Sequence, residues 1–147
     1  MNKIELQEWI DKGKPVNSIV NADCIEAMRQ MPDESVDCIV TDPPYNIDKV
    51  RSWDKWKTKE DYVQWCGQWI LECQRILKDK GSFYFFHNDM TQIAMLMEWI
   101  RKNTKFSFKQ LIVWNKRFDT ARNRGSLDGF VVVNGLRNYQ QMAEYIL

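Results

Sequence analysis

The sequence predicts an α/β fold in which helices flank a sheet whose leading strands run parallel. Three observations point there. A strand, a short helix and a second strand succeed one another within about 25 residues, from Asn17 to Thr41, the length of a parallel crossover. A long amphipathic segment then runs from Thr58 to Leu77 and delivers the chain into the aromatic run Phe83-Tyr84-Phe85-Phe86. Finally, the apolar stretch Val36–Thr41 ends abruptly at Asp42-Pro43-Pro44-Tyr45. Sheets of this kind bind ligands beyond the carboxyl ends of their strands, where Asp23 and Asp42 both fall.

Each element follows from local pattern. Ile4 to Lys12 reads as a short helix closing near Gly13, and Ser18-Ile19-Val20 as a short strand ending at Asn21. Asp23 occupies an N-cap position, and Ile25, Met28 and Met31 give the next helix its apolar face before Pro32-Asp33 ends it. Val36–Thr41 is nearly continuous in apolar character, as a strand covered on both faces should be. Glu60 and Asp61 open the long helix, with acids suited to its dipole. Tyr62, Trp65, Cys66, Trp69, Ile70, Cys73, Ile76 and Leu77 form its core face at i, i+3/i+4 spacing. Lys78 and Lys80 close it before a capping Gly81. Ser82–Phe86 is a buried strand followed by His87, the only histidine, which either lines the site or is structural. A further helix turns Ile93, Leu96, Met97 and Ile100 inward, and Leu111–Trp114 reads as a strand.

The break at Asp42 has its own chemistry. Pro43 and Pro44 fix φ and offer no N–H, so the backbone is stiff and presents carbonyl acceptors. The Asp42 carboxylate, a neighbouring carbonyl and the flat ring of Tyr45 suit a planar group bearing an amino donor, such as a nucleobase amine. The alternative is a proline-rich turn with an exposed tyrosine.

The neighbours decide between these readings. Asn21-Ala22-Asp23-Cys24, Pro32-Asp33-Glu34-Ser35-Val36-Asp37, Asp42–Tyr45 with Asn46 after it, and Gln74–Ser82 together resemble the amino-methyltransferases of DNA, specifically the adenine-N6 group. The resemblance runs from about Asn17 to Lys116 and lies in the combination. Within that family Asp in the first motif position tends toward adenine-N6, and Ser toward cytosine-N4. The resemblance implies a Rossmann-like methyltransferase fold with a mixed sheet flanked by helices and S-adenosylmethionine as cofactor. Asp42, Pro43, Pro44 and Tyr45 would be catalytic. Asp23, Cys24 and Asp42 would contact the cofactor, with Asp23 also free to act only as a helix cap. The resemblance implies no metal.

A complete enzyme of the family also needs a glycine-rich Phe-x-Gly-x-Gly turn. The six glycines, at 13, 67, 81, 125, 129 and 135, include no pair one residue apart. The chain resembles the first half of a circularly permuted branch, in which the Asp-Pro-Pro-Tyr half precedes the cofactor half. Residues 1–147 are then a single, incomplete methyltransferase domain, and two central strands between the Ile19 and Val36 strands are absent. A homodimer or a complementing chain carrying the cofactor half would cover the open edge. Residues from Tyr139 resemble the start of the family's last hairpin strand.

Charge supports a nucleic-acid partner. Residues 1–50 hold five Lys/Arg against ten Asp/Glu, whereas residues 51–147 hold sixteen against ten. Asn46, Lys49, Arg51, Trp53 and Lys55 lie in a basic, tryptophan-bearing loop after the motif, suited to phosphates and a flipped base of double-stranded DNA. Trp53 and Trp56 could instead fold back onto the core. Lys116, Arg117, Arg122 and Arg124 belong to a second basic excursion, residues 115–137, read as contacting the DNA backbone or else as a disordered connection; in it Val131-Val132-Val133 either forms a brief strand or packs the excursion onto the body. Cys24, Cys38, Cys66 and Cys73 read as reduced thiols of a cytoplasmic protein, Cys24 and Cys38 among core residues. No apolar run approaches the roughly 18 residues of a membrane span. The leading functional expectation is adenine-N6 methylation of DNA; the alternative is a DNA-binding fragment or subunit without cofactor. Methylation of RNA or of a protein glutamine ranks lower, since that motif usually begins with Asn.

Overall fold

The computed structural model describes residues 3–46, 54–115, 131–133, 136–138 and 143–147. The chain begins with β1 (Lys3–Glu5) and α1 (Leu6–Asp11), and Gly13 then turns the backbone at φ +75°. β1 was not expected from the sequence. It pairs in parallel with β2 (Ile19–Asn21), whose Asn21 amide donates to the Glu5 carboxylate at 2.8 Å. Asp23 caps α2 (Cys24–Arg29) as the sequence predicts, its Oδ1 accepting from the Ile25 and Glu26 amides at 2.9 and 3.1 Å.

β3 (Val36–Thr41) does not join β2. It is an edge of a separate four-stranded mixed sheet ordered β3-β4-β8-β5, formed with β4 (Leu77–His87), β5 (Ile112–Asn115) and β8 (Ala143–Ile146). β3 and β4 run parallel; β8 lies antiparallel to both β4 and β5. A two-stranded antiparallel pair, β6 (Val131–Val133) with β7 (Leu136–Asn138), forms a third sheet.

Two helices cover one face of the four-stranded sheet. α3 (Lys59–Ile76) starts at Thr58, whose hydroxyl accepts from the Asp61 amide at 3.0 Å, and buries Tyr62, Cys66, Trp69, Ile70, Cys73 and Ile76 as the spacing predicts. α4 (Met90–Asn103) starts at Asp89 and packs beside it, burying Ile93 and Leu96. The edges of Phe83 and Phe85 meet Trp69, joining sheet to helix.

Three expectations require correction. α3 stops at Ile76, Leu77 is already extended, and Lys78–Gly81 belong to β4. Gly81 is therefore no helix cap. It sits in a bulge, where Val36 pairs with Leu77 but Cys38 with Ser82, and a Cβ on Gly81 would come within 2.6 Å of Leu77 Cγ. β3 is not covered on both faces, since Val40 is 64% exposed. For the same reason Cys38 is exposed, as is Cys24, and neither lies in the core; Cys66 and Cys73 do, and all four are free thiols.

Candidate active site

The sheet brings Asp42-Pro43-Pro44-Tyr45 to the carboxyl end of β3, beside the carboxyl end of its parallel neighbour β4, where His87 lies. Asp42 is exposed. Tyr45 is not the exposed tyrosine of a simple turn: it is 9% exposed, its ring centroid lies 5.0 Å from that of His87, and its hydroxyl donates to Asp42 Oδ1. In this state the phenol covers part of the carboxylate it would share with a ligand.

A buried polar framework supports the motif from below. The Tyr62 hydroxyl donates to the Pro44 carbonyl at 2.7 Å and lies 3.0 Å from His87 Nε2. Between the two proline carbonyls, then, Pro43 is the one not engaged by Tyr62. His87 Nδ1 accepts from the Asp89 backbone N–H at 3.0 Å. Burial pushes the His87 pKa down to about 4; the neighbouring Asp89 charge opposes that shift and Lys59 adds to it. Burial also pushes the Tyr62 phenol up, so it remains a donor at neutral pH. Burial alone would raise the pKa of Asp89. The Lys59 ammonium at 2.9 Å and the Gln92 N–H groups outweigh it and hold the carboxyl below its ordinary value.

Gln92 ties the next turn of chain to the same framework. Its amide nitrogen donates to the Tyr45 carbonyl at 3.1 Å, and its oxygen accepts from Asn46 Nδ2 at 3.1 Å. Asn46, at φ +57°, also accepts from the Trp56 amide at 2.9 Å, while its own N–H donates to the buried Asp54 carboxylate at 2.7 Å. Its side chain is thus engaged on both sides within the protein and braces the loop. Trp56 likewise folds onto the core, 4.6 Å from Trp65 and 5.0 Å from Tyr62 between ring centroids. Lys55 is exposed. Lys49, Arg51, Trp53, Lys116, Arg117, Arg122 and Arg124 lie outside the described residues, so Lys55 is the one basic side chain named for DNA contact that falls among the described residues.

Sequence reasoning missed the roles of Gln92, Tyr62 and Asp54. One signal was available: Asp89-x-x-Gln92 has the spacing of a capping box, which marks Gln92 as a side chain at the start of a helix with polar business near its end. Asp23 and Cys24 are exposed at the carboxyl end of β2, where a ligand could reach them. Among the described residues no group of three His, Cys, Asp or Glu side chains could hold a metal, and no helix is long and apolar enough to cross a membrane.

The parallel pair β3 and β4 thus ends at an acidic Pro-Pro-Tyr turn, with β8 antiparallel beside β4. The chain belongs to the DNA methylase family, whose profile matches residues 36–147. It is 35% identical over 128 residues to the type II methyltransferase M.BamHI of Bacillus amyloliquefaciens, over 80% of this chain and 29% of that protein. It is 33% identical to the type II methyltransferase M.HinfI of Haemophilus influenzae, over 69% of this chain and 32% of that one. The DNA adenine methyltransferase YhdJ of Escherichia coli is 35% identical over 109 residues, 70% of this chain and 34% of YhdJ. In fold, the chain resembles the cytosine-N4-specific PvuII DNA methyltransferase, with a TM-score of 0.64 at 15% identity, over 86% of this chain and 46% of that one. The chain spans about a third of the length of these curated relatives.

Proposed function

We propose that residues 1–147 form the base-recognition part of an S-adenosylmethionine-dependent methyltransferase that modifies adenine N6 in double-stranded DNA. The observation that supports this most directly is the stiff acceptor pair at the end of β3, an exposed Asp42 carboxylate beside the Pro43 carbonyl, held from behind by Tyr62 on Pro44. An adenine amine is buried in the duplex stack, so the base must be flipped out to reach it. Asp42 and Pro43 accept its two N–H groups. Those bonds draw the nitrogen toward a pyramid and aim its lone pair away from the two acceptors. Tyr45 supplies a stacking surface once its hydroxyl leaves Asp42. Positioning of this kind can supply most of the acceleration.

S-adenosylmethionine would contribute an electrophilic methyl group on a sulfonium. The exposed Asp23 carboxylate, at the same end of its strand as Asp42, suits the hydroxyls of the adenosine part. The methionine part calls for a Gly-x-Gly turn, which residues 1–147 do not include; a polypeptide segment carrying the cofactor half would supply it. Lys49, Arg51, Trp53 and Lys55, with Lys116, Arg117, Arg122 and Arg124 in the 115–137 excursion, would meet the DNA backbone. Such an enzyme works in the cytoplasm, in a restriction-modification setting if it follows its type II relatives. The alternative is a DNA-binding subunit that holds the base but no cofactor.

Calorimetric titration of S-adenosylmethionine into the folded chain separates the two. Saturable binding weakened by Asp23→Ala, followed by transfer to adenine-containing duplexes, is the expected result for the enzyme. Absence of heat with retained duplex binding supports the cofactor-free subunit instead.

A further inference from the structure

The hydrogen bonds that join the buried His87 and Tyr62 beneath the motif have a direction. The Asp89 backbone N–H can only donate, so His87 Nδ1 is an acceptor and carries no proton. The imidazole proton is therefore on Nε2, which faces the Tyr62 oxygen at 3.0 Å. With that oxygen accepting, the Tyr62 O–H is left to donate to the Pro44 carbonyl at 2.7 Å. Every link is satisfied in one sense only.

We propose that Tyr62 and His87 are positioning residues for methyl transfer: the chain Asp89 N–H to His87 to Tyr62 to Pro44 C=O holds the Asp42–Pro43 acceptor pair in place. The inference rests on the methyl-transfer reading above for its kinetic consequence, though not for its geometry. Pro44 has no N–H of its own, so its carbonyl is the one backbone handle by which the core can grip it. His87 and Tyr62 are both fully buried, and α3 and β4 hold them from different directions. The charged and titratable groups facing the imidazole are Asp89 at the start of α4, Lys59 and Tyr62 on α3, and Tyr45 in the motif. A protonated ring would turn Nδ1 into a donor facing the Asp89 N–H and break the chain at its first link. The depressed His87 pKa agrees with this arrangement.

Because His87 is the only histidine, a long-range proton–nitrogen NMR spectrum of the uniformly labelled protein reads its ring without ambiguity. One neutral imidazole protonated at Nε2, unchanged from pH 8 to pH 5.5, is expected. A ring protonated at Nδ1, or one half-charged near pH 6.5, overturns the proposal. Kinetics give the second arm. Tyr62→Phe should lower kcat about tenfold, the worth of one lost positioning hydrogen bond, and leave KM for S-adenosylmethionine within twofold. His87→Gln, whose amide can still donate to Tyr62, should retain more activity than His87→Leu. An unchanged kcat in Tyr62→Phe, or a loss confined to KM, overturns the positioning role. Should no methyl group reach any duplex even when the cofactor half is supplied, the methyl-transfer reading fails, and the NMR arm alone then decides the hydrogen-bond chain.

Discussion

Tyr45 and Asp42 compete for one another before either can meet a base. The hydroxyl that would have to move is bonded to the carboxylate that would have to act, and the ring lies against His87. Substitution separates their contributions. Asp42→Ala removes an exposed side chain, so the thermal midpoint should stay close to the parent's while methyl transfer to adenine duplexes falls at least about 10²-fold. Tyr45→Phe keeps the stacking face and frees Asp42, and should keep transfer within a few-fold of the parent. Tyr45→Ala loses the stack and should weaken duplex binding by roughly 10- to 100-fold in a fluorescence titration. His87 supplies a test that needs no substrate. Its ring resists protonation in the fold while the unfolded chain titrates near 6.5. Its contribution to stability is therefore complete above about pH 6.5 and drains away between there and about pH 4, by on the order of 3 kcal/mol. Denaturant titrations at pH 7 and pH 4.5 should show that loss, and His87→Gln should flatten the part of it due to this ring.

At the scale of elements, what could be read in advance was what local spacing encodes. α3 was legible because its cap, its acidic first turn and its apolar stripe all lie within one stretch of chain. The Asp42 motif was legible because two prolines and an acid are stiff and acidic in any surroundings. The bulge at Gly81 was not, because it exists only through the register of β4 on β3. Nor were the roles of His87 and Gln92, whose partners Tyr62 and Tyr45 lie 25 and 47 residues away in sequence. The contact of α3 with α4 is equally non-local. Gly67 faces Trp99, and a Cβ there would sit 2.3 Å from the indole. Alanine would gain roughly 1 kcal/mol of helix propensity. Displacing a ring held between two helices should cost about 1–3 kcal/mol, so the changes oppose one another and the packing term should win. Gly67→Ala is accordingly expected to lower the denaturation midpoint, and Trp99→Leu to restore it when combined with Gly67→Ala.

Across the whole molecule, one face of the four-stranded sheet is packed and the other is apolar without helices upon it among the described elements. The register places Val40 opposite Tyr84, and Phe86 and Ile112 each opposite Ile146, so these side chains and Trp114 share that outer face. Phe86 and Trp114 meet edge to face with ring centroids 6.2 Å apart, and Val40, Ile112 and Trp114 are exposed. Among the described strands β3 has an unpaired edge in this sheet, and β2, which ends at Asn21 just before Asp23, lies in a different one. An apolar face next to an open strand edge favours association with another polypeptide. The chain by itself should accordingly self-associate as its concentration rises in sedimentation experiments. Val40→Lys, which puts a charge on the outer face at the open edge and leaves the α3–α4 core untouched, should shift it toward monomer without lowering its denaturation midpoint. If the unsubstituted chain stays monomeric at high concentration, residues of its own must cover that face; if Val40→Lys unfolds it, the face is part of the core.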